Sequence, residues 1–258
     1  MKTPFARLRD KSRELTVKVS SQPSVLSHNK VTGWSVNFPI YSTCQPSSVC
    51  AKTCYALTGP ITWSSSLNKQ KVNKYLCKES SRDFAEMVVK ECAKHIKRDP
   101  GFFLRWNGTG DLFEEAIESL EHIADQLPEL PIWVVTRIPR YAQTLLLKAR
   151  PNIFVHFSLD KASMERRIDL LSLFDGLKPT NLFFSYQCDK NEDYSFQEVA
   201  SVVFVDRYKP HTVLPDDEVI CPLNRFEDIT GMCSRCRRCF DGTAIKHSSR
   251  VHIEPLVD

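Results

Sequence analysis

The spacing of the cysteines constrains the fold of this 258-residue chain more than any other feature of its sequence. Seven of the ten cysteines form two groups, which are Cys44, Cys50 and Cys54 in the first and Cys221, Cys233, Cys236 and Cys239 in the second. Thiols at short, repeated gaps are typical of metal sites, because one tight backbone turn presents successive sulfurs in the same direction. The sequence therefore predicts a fold that supports two separate metal sites.

The second group has the spacing with which proteins commonly hold a cubane iron–sulfur cluster. Three of its thiols repeat at two-residue gaps, and the fourth, Cys221, precedes a proline in a separate segment. Arg235, Arg237 and Arg238 lie among these thiols, where their charge would offset that of the thiolates. The pattern favours a 4Fe-4S cluster, with a structural zinc of the four-cysteine type as the alternative and a metal-free segment as the third interpretation.

The first group has three cysteines and no fourth one nearby. Three thiolates on a four-iron cubane leave one iron open to a small molecule, much as catalytic zinc sites keep an open position. The alternatives are that a distant thiol such as Cys188 closes the site, or that these are ordinary reduced cysteines. If one iron is open in this way, the first group is predicted to be a catalytic site rather than a structural one.

Composition predicts the setting of the protein. Ten cysteines would indicate disulfides if a secretory signal were present, but the first residues lack an apolar segment of signal-peptide length. Apolar runs also fall short of the roughly 20 residues that span a bilayer, so we expect a soluble, cytoplasmic protein with no membrane partner. The net charge of +4 is too mild to indicate nucleic acid by itself, and we interpret the basic stretch at residues 69–74 as a solvated face.

Short apolar segments alternate with amphipathic stretches through the middle of the chain, which is the pattern of βα repeats. The predicted strands are residues 102–106, 132–136, 153–157, 182–186 and 202–205. The predicted helices are residues 80–98, 111–127, 140–149 and 162–174. This alternation predicts a parallel sheet, either open or closed into a full or partial α/β barrel, with functional groups at the carboxyl ends of the strands.

We expect a single domain with three parts. Residues 1–43 would form an N-terminal β segment, with β-like stretches at residues 14–20 and 31–38. Residues 44–215 would form the βα barrel core with the first cysteine group, and residues 216–258 would be a C-terminal extension with the second group. Apolar periodicity is weak in this extension, so metal binding would be the main force that orders it.

A glycine-containing turn follows the first core strand. Gly108 and Gly110 lie just before Asp111, and glycine permits positive φ and close approach of the backbone to a ligand. Asp111 would stand at the start of the next helix, where its carboxylate either caps the helix or accepts hydrogen bonds from a ligand ammonium.

These motifs, taken in order, resemble the radical S-adenosylmethionine superfamily, and more closely the gene-product-88-like family of phage and bacterial proteins. The resemblance runs from about Val31 to His247. Its motifs are the three-cysteine loop ending in Cys54-Tyr55-Ala56, Gly110-Asp111-Leu112-Phe113, Thr136-Arg137 with Pro139-Arg140, Cys221-Pro222 with the triple-cysteine tail, and Ala244-Ile245-Lys246-His247. The gaps in the three-cysteine loop, five and then three residues, are wider than is common in the superfamily.

The resemblance implies a partial α/β barrel of the radical S-adenosylmethionine type. The first three cysteines would hold a 4Fe-4S cluster whose open iron binds the methionine part of S-adenosylmethionine, and an electron donor would be a partner. The turn at Gly108, Gly110 and Asp111 would receive the methionine ammonium, while Tyr55 would contact adenine and Ser158 would contact ribose or carboxylate. Reductive cleavage would release a 5′-deoxyadenosyl radical that abstracts hydrogen from a substrate inside the barrel.

The substrate is predicted from polar residues near the strand ends, which are Arg105, Asn107, Arg137 and Arg140. Arginine suits bidentate recognition of phosphate or carboxylate, so this edge would favour an anion. With Trp106 and Tyr55 as stacking surfaces, a nucleotide or a nucleic acid is a candidate substrate.

Other interpretations of these residues are structural. Arg137 and Arg140 would then neutralise cluster charge or pair with Asp111 and Asp160. His156 would be a bonded interior histidine, and Cys77 and Cys92 would be packed thiols. The corresponding alternative function is a non-catalytic iron–sulfur or zinc protein that binds nucleic acid.

Overall fold

The computed structural model describes residues 3–15, 24–164, 174, 181–188, 202–205, 221 and 230–240. These residues contain one seven-stranded sheet whose strand order follows the chain. The strands are β1 (Leu26–Asn29), β2 (Gly33–Val36), β3 (Leu104–Trp106), β4 (Ile132–Thr136), β5 (Ile153–Asp160), β6 (Leu182–Cys188) and β7 (Val202–Val205). β1 is antiparallel to β2, and each later strand is parallel to the one before it. The fold is therefore mixed α/β with a mostly parallel sheet, which is open between β1 and β7 in the described residues.

Helices connect most of the strands. In the described residues they are α1 (Pro4–Glu14), α2 (Ile40–Thr43), α3 (Ser48–Thr53), α4 (Ser64–Glu79), α5 (Ser81–Ile96), α6 (Glu114–Gln126), α7 (Pro139–Leu147), α8 (Lys161–Met164) and α9 (Met232–Cys236). None of the helices in this part of the chain is both long and apolar enough to cross a membrane.

The sequential strand order places the connecting helices on one side of the sheet. Each parallel connection moves to the next strand in the same direction, and such crossovers are almost always right-handed. Side chains of α5, α6 and α7 accordingly pack with Leu104, Val134 and Phe157 in the main hydrophobic core. We call this side of the sheet the helical face.

The opposite side, which we call the inner face, carries the alternate residues of each strand. Arg105 of β3 lies beside Trp133 of β4, and Trp133 lies beside Phe154 of β5. Residues 230–240, which we call the tail segment, cover the amino-terminal part of this face. The ring of Phe240 stacks on Phe103 with 3.9 Å between centroids.

The tail segment is also bonded to the turn between β1 and β2. The amide of Gly231 donates to the carbonyl of Lys30 at 2.7 Å, and that of Cys233 donates to the carbonyl of Val31 at 3.3 Å. Main-chain and aromatic contacts therefore hold the second cysteine group against the sheet.

All five predicted core strands are present. The predictions at residues 132–136 and 202–205 match β4 and β7, while β5 and β6 extend to Asp160 and Cys188. The predicted helices correspond to α5, α6 and α7 within a few residues. Of the helix predicted at residues 162–174, α8 accounts for the start, and residues 165–173 lie outside the described part of the chain.

The predicted N-terminal β segment is only partly correct. Residues Pro4–Glu14 form a helix, because the Thr3 hydroxyl accepts a hydrogen bond from the Ala6 amide at 3.2 Å and Pro4 occupies the first turn. The stretch predicted at residues 14–20 begins at the end of this helix, and residues 16–20 lie outside the described part. The stretch at residues 31–38 contains β2, which forms a hairpin with β1.

The prediction of a solvated face at residues 69–74 is wrong. These residues belong to α4, which lies between β2 and α5 in the sequence, and three of its lysines donate to main-chain carbonyls. Lys69 Nζ bonds to Leu26 O at 2.7 Å, Lys71 Nζ to Ser12 O at 2.8 Å and Lys74 Nζ to Ser42 O at 3.0 Å. The lysines instead tie α4 to the N-terminal elements, a role that only the tertiary structure reveals.

Candidate functional site

A cavity of about 140 Å³ opens at the carboxyl ends of the parallel strands. The loop after β2 contributes Cys44, Cys50 and Cys54 to its wall, and the ends of the next strands contribute Asp111, Arg137 and Ser158. The sequence predicted this convergence, because the carboxyl ends of parallel strands meet at one edge of a sheet.

Short helices position the three cysteines of the first group. Cys44 follows α2, Cys50 lies within α3, and Cys54 follows α3. The hydroxyl of Ser47 accepts from the Cys50 amide at 3.0 Å and donates to the carboxylate of Asp160. This hydroxyl therefore caps α3 and fixes the loop to the end of β5.

The three thiols differ in their electrostatic environment. A hydrogen bond from Cys54 is the main reason that the pKa of Cys50 falls to about 7, and the charge of Arg137 lowers it further. The same bond raises the pKa of Cys54, and burial raises the pKa of Cys44. Without metal, the hydrogen bond from Cys54 therefore favours the thiolate form of Cys50.

The described residues contain no group of three or more His, Cys, Asp or Glu side chains arranged to hold a single metal ion. A cubane cluster makes a different demand, because each cysteine binds a different iron and the sulfurs stay farther apart. Three half-buried thiols around one cavity match the donor set of such a cluster.

Asp111 is buried at the floor of the site and joins two strand ends. Its Oδ1 accepts from the Thr136 hydroxyl at 2.6 Å and from the Leu112 amide at 2.7 Å, and its Oδ2 accepts from the Arg137 amide at 3.2 Å. Burial raises its pKa to about 6 despite these bonds. The prediction that Asp111 caps a helix is wrong, because α6 begins at Glu114 and has no side-chain cap.

Contacts within the protein explain why Gly108 and Gly110 are glycines. A Cβ on Gly108 would lie 2.3 Å from Asn37 Oδ1, and one on Gly110 would lie 2.8 Å from Phe38 and Thr43. Gly110 also has φ of 86°, which disfavours other residues. We expected these glycines to let the backbone approach a ligand, but they instead let the turn pack closely against β2 and the loop after it. Gly110 nevertheless lines the cavity.

Asn107 and Tyr55 complete this part of the site. Asn107 adopts a left-handed conformation with φ of 61°, and its buried Oδ1 has no hydrogen-bond partner among the described residues. The Tyr55 hydroxyl donates to the carbonyl of Gly108, while 46% of the residue's surface is exposed. Its ring is thus available for stacking even though its hydroxyl is engaged.

The three predicted substrate arginines have different surroundings. Arg137 Nη1 donates to Asp160 at 2.7 Å and its Nη2 donates to Gln187 at 3.3 Å. The charge of Arg137 and the Ser47 bond outweigh burial and keep the pKa of Asp160 low. The structural interpretation of Arg137 as the partner of Asp160 is thereby confirmed.

Arg140 lies apart from the cavity. It is exposed, its Nη2 donates to the Tyr141 hydroxyl at 2.9 Å, and its guanidinium covers the Tyr141 ring. The predicted stacking role of Trp106 is also wrong, because strand alternation points this residue into the core of the helical face, where it is fully buried. Trp133, which the sequence did not single out, lies instead beneath Arg105, 4.8 Å from its guanidinium.

Sequence reasoning also missed Ser47 and Gln187. Gln187 Nε2 donates to Thr53 Oγ1 at 2.6 Å and so ties β6 to α3. Both are polar residues beside recognised features, but only contacts across the sheet distinguish them from other polar residues. The side chain of Cys188 lies outside the described part of the structure, although its backbone ends β6.

The second cysteine group surrounds a small cavity of about 30 Å³. All four of these cysteines line the cavity, and burial together with the neighbouring Cys221, Cys233 and Cys236 raises the pKa of Cys239. Burial likewise raises the pKa of Cys233 to about 11. The sequence correctly predicted that these four residues converge.

Not all arginines of the tail segment offset the charge of these thiols as the sequence predicted. Arg237 Nη1 donates to the Gly101 carbonyl at 2.8 Å, and its guanidinium lies over the Phe240 ring. Arg235 is exposed. Arg105 of β3 supplies the positive charge that opposes the rise in the pKa of Cys233 and Cys239.

His156 joins the tail segment to the sheet. It is fully buried, and its Nε2 lies 3.0 Å from the carbonyl oxygen of Cys239. Burial lowers its pKa to about 4, so the ring is neutral. The prediction of a bonded interior histidine is confirmed, as is that of packed thiols at Cys77 and Cys92.

Comparison with known proteins identifies the family. No curated protein and no solved structure matches the chain. A family model described as Gene product 88 matches residues 7–242, which include both cysteine groups and the turn at Asp111. The match starts before the expected Val31 and stops before the expected His247. The chain therefore belongs to the gene product 88 family.

Proposed function

We propose that this protein is a radical S-adenosylmethionine-like enzyme with an open 4Fe-4S cluster on Cys44, Cys50 and Cys54. The observation that carries the proposal is the cavity at the strand ends, where these three thiols face a buried carboxylate and other polar groups. A purely structural metal site needs no such cavity, because its ligands close around the metal.

The strand order supports a partial barrel as the finer description of the fold. Six consecutive strands, β2 to β7, are parallel and sequential, as in a βα barrel, and polar residues lie at their carboxyl ends. Doubly wound sheets reverse their strand order instead.

The chain's own residues suit the cofactor in distinct ways. Asp111 offers a carboxylate to the methionine ammonium, and the exposed ring of Tyr55 offers a surface to adenine. Ser158 offers a hydroxyl for ribose or carboxylate. When bound, the cluster supplies the electron that cleaves S-adenosylmethionine to a 5′-deoxyadenosyl radical. The protein's part is to orient the cofactor, exclude water and hold an anionic substrate.

The second cysteine group is proposed to hold another 4Fe-4S cluster, with zinc as the alternative. Its four thiols lie together in a cavity lined by Trp133 and Phe240, and aromatic walls would shield a cluster from water. An external electron donor is required by the reaction.

Anaerobic reconstitution with iron and sulfide tests the proposal. We expect about eight irons per chain and a change in the electron paramagnetic resonance of the reduced protein when S-adenosylmethionine is added. Cys54→Ala should lose about four irons and the response, whereas Cys236→Ala should lose about four irons and keep the response. Cys92→Ala, which changes a thiol outside both groups, serves as the matched control.

Other results would contradict the proposal. A response retained in Cys54→Ala would exclude the first group as the cofactor site. Zinc alone, or about four irons with no response, would favour a metal-stabilised binding protein, for which nucleic-acid affinity should fall steeply with salt.

A further inference from the structure

Arg105 differs from Arg137, the other arginine that lines the first cavity, in having no carboxylate partner among the described residues. Arg137 is paired with Asp160, and Arg140 lies at the surface against Tyr141. In the part of the chain that the structure describes, Arg105 forms no ion pair, and its Nη2 donates only to the neutral hydroxyl of Tyr55, at 3.1 Å. The cavity therefore contains one cation whose charge the neighbouring side chains do not compensate.

Two aromatic rings lie close to the Arg105 guanidinium. Its central carbon lies 4.8 Å from the Trp133 ring centroid and 5.8 Å from that of Tyr55. Stacking of this kind leaves the N–H groups at the edge of the plane available for hydrogen bonds. The buried Nε of Arg105 has no partner among the described residues, although leaving a buried donor unpaired is costly.

Other buried polar atoms of the described residues also have no hydrogen-bond partner. They include Asn107 Oδ1, Trp133 Nε1 and His156 Nδ1. Because His156 Nε2 must donate to the Cys239 carbonyl, the Nδ1 of this neutral ring is an acceptor. Of these residues, Asn107 lines the first cavity together with Arg105.

A competing explanation is that Arg105 serves as the counter-ion of the tail thiolates, because its charge lowers the pKa of Cys233 and Cys239. Its one hydrogen bond, however, points towards Tyr55 of the cysteine loop, and Arg105 lines the first cavity but not the second. The orientation of the side chain favours a ligand in the first cavity.

We propose that Arg105 binds one carboxylate group of a small-molecule substrate through two of its N–H groups. The inference rests on the proposed function in calling this ligand a substrate. A single unpaired guanidinium matches one monoanionic group, whereas a nucleic-acid backbone needs a groove of several cations. The substrate class thus narrows from nucleotides and nucleic acids to small carboxylates.

The test uses iron-free, reduced protein with ¹⁵N-labelled tryptophan. The indole N–H of Trp133, assigned with Trp133→Phe, reports on Arg105 because the two side chains stack. Sodium acetate at constant ionic strength should shift this resonance saturably, and inorganic phosphate should bind more weakly. The exposed Trp63 indole should not respond.

Variants separate charge from geometry. Arg105→Lys keeps the charge but loses the planar pair of donors, so acetate affinity should fall at least about tenfold. Arg105→Gln should abolish the saturable shift, and Arg140→Gln should respond like the unmodified protein. If Arg105→Gln does not fold, Arg105→Lys alone decides the comparison.

Several outcomes would overturn the inference. An equal response in Arg105→Gln, or no saturable shift at all, excludes the site, and tighter binding of phosphate excludes a carboxylate as its ligand. If reconstituted Arg105→Gln takes up less metal in the tail segment, and the metal-free unmodified protein shows no acetate response, the counter-ion role is established instead. The acetate titration itself contains neither iron nor S-adenosylmethionine, so its result is independent of the reconstitution experiment.

Discussion

Asp111 shows how one residue combines structural and chemical demands. Its carboxylate accepts three hydrogen bonds that connect the turn after β3 to the end of β4. It is nevertheless so buried that its charged form is disfavoured. A cationic ligand group would remove this cost, which is why we place the ammonium of the cofactor here.

This environment predicts a pH dependence of stability in the metal-free protein. Because folding raises the pKa of Asp111 from 3.8 to about 6, the stabilisation is fully present below pH 3.8 and is lost as pH rises through about 6. Between pH 4 and pH 7 the protein should lose about 2 kcal/mol relative to Asp111→Asn, which lacks this titration. Urea unfolding of both proteins across this range measures the difference, and a constant offset would contradict the prediction.

The neighbours of each residue also explain why the three predicted substrate arginines differ in their interactions. Arg105, Arg137 and Arg140 look alike in the sequence, but only their neighbours decide which charge is free. Arg137 Nη1 lies 2.7 Å from Asp160 Oδ2, whereas the guanidinium of Arg105 lies near the rings of Trp133 and Tyr55. Pairing across strands depends on register, which the local sequence does not encode.

At the scale of elements, the tail segment is held to the sheet by its side chains as well as by any metal. Phe240 is buried between Phe103 and Trp133, with ring centroids at 3.9 and 6.4 Å. His156 adds a bond to the Cys239 carbonyl. Hydrophobic contact therefore supports the arrangement of the second cysteine group.

Phe240→Ala should weaken this docking. Loss of a buried phenylalanine costs about 3 kcal/mol at the lower end of the usual range, so the tail segment should open more often. We expect faster alkylation of Cys233 and Cys239 in the metal-free variant, measured by mass spectrometry. Leu147→Ala, at a residue that is 69% exposed, is the control and should alkylate like the unmodified protein.

In the molecule as a whole, the two cysteine groups lie at different parts of the open sheet. The first group lies at the carboxyl ends of the strands, and the second covers the inner face near the amino ends of β3 and β4. Cys77 and Cys92 lie in the core of the helical face, away from both groups.

Thiol reactivity should reflect this division. Cys77 and Cys92 are fully buried, and burial raises the pKa of each to about 12, so they should be alkylated only when the whole domain unfolds. The half-buried Cys50 and Cys236 should react in the native metal-free protein, and Cys50 has a pKa lowered to about 7, which favours its reactive thiolate. Labelling of Cys77 or Cys92 at the rate of Cys236 would show that the helical face opens independently.

The sequence by itself determined the βα order, the positions of the core strands and the convergence of each cysteine group. These features depend on hydrophobic periodicity and on local spacing, which act over a few residues. Helix α1 was missed because most of its residues are polar, so few apolar side chains mark the face that it buries.

Tertiary structure alone decided the partners of the polar residues. In the folded protein the lysines of α4 donate hydrogen bonds to main-chain carbonyls. Trp106 lies in the core, and Trp133 lies next to the guanidinium of Arg105. The physical reason is that a side chain's charge and exposure depend on what the fold brings within a few ångströms of it, and those neighbours come from distant parts of the chain.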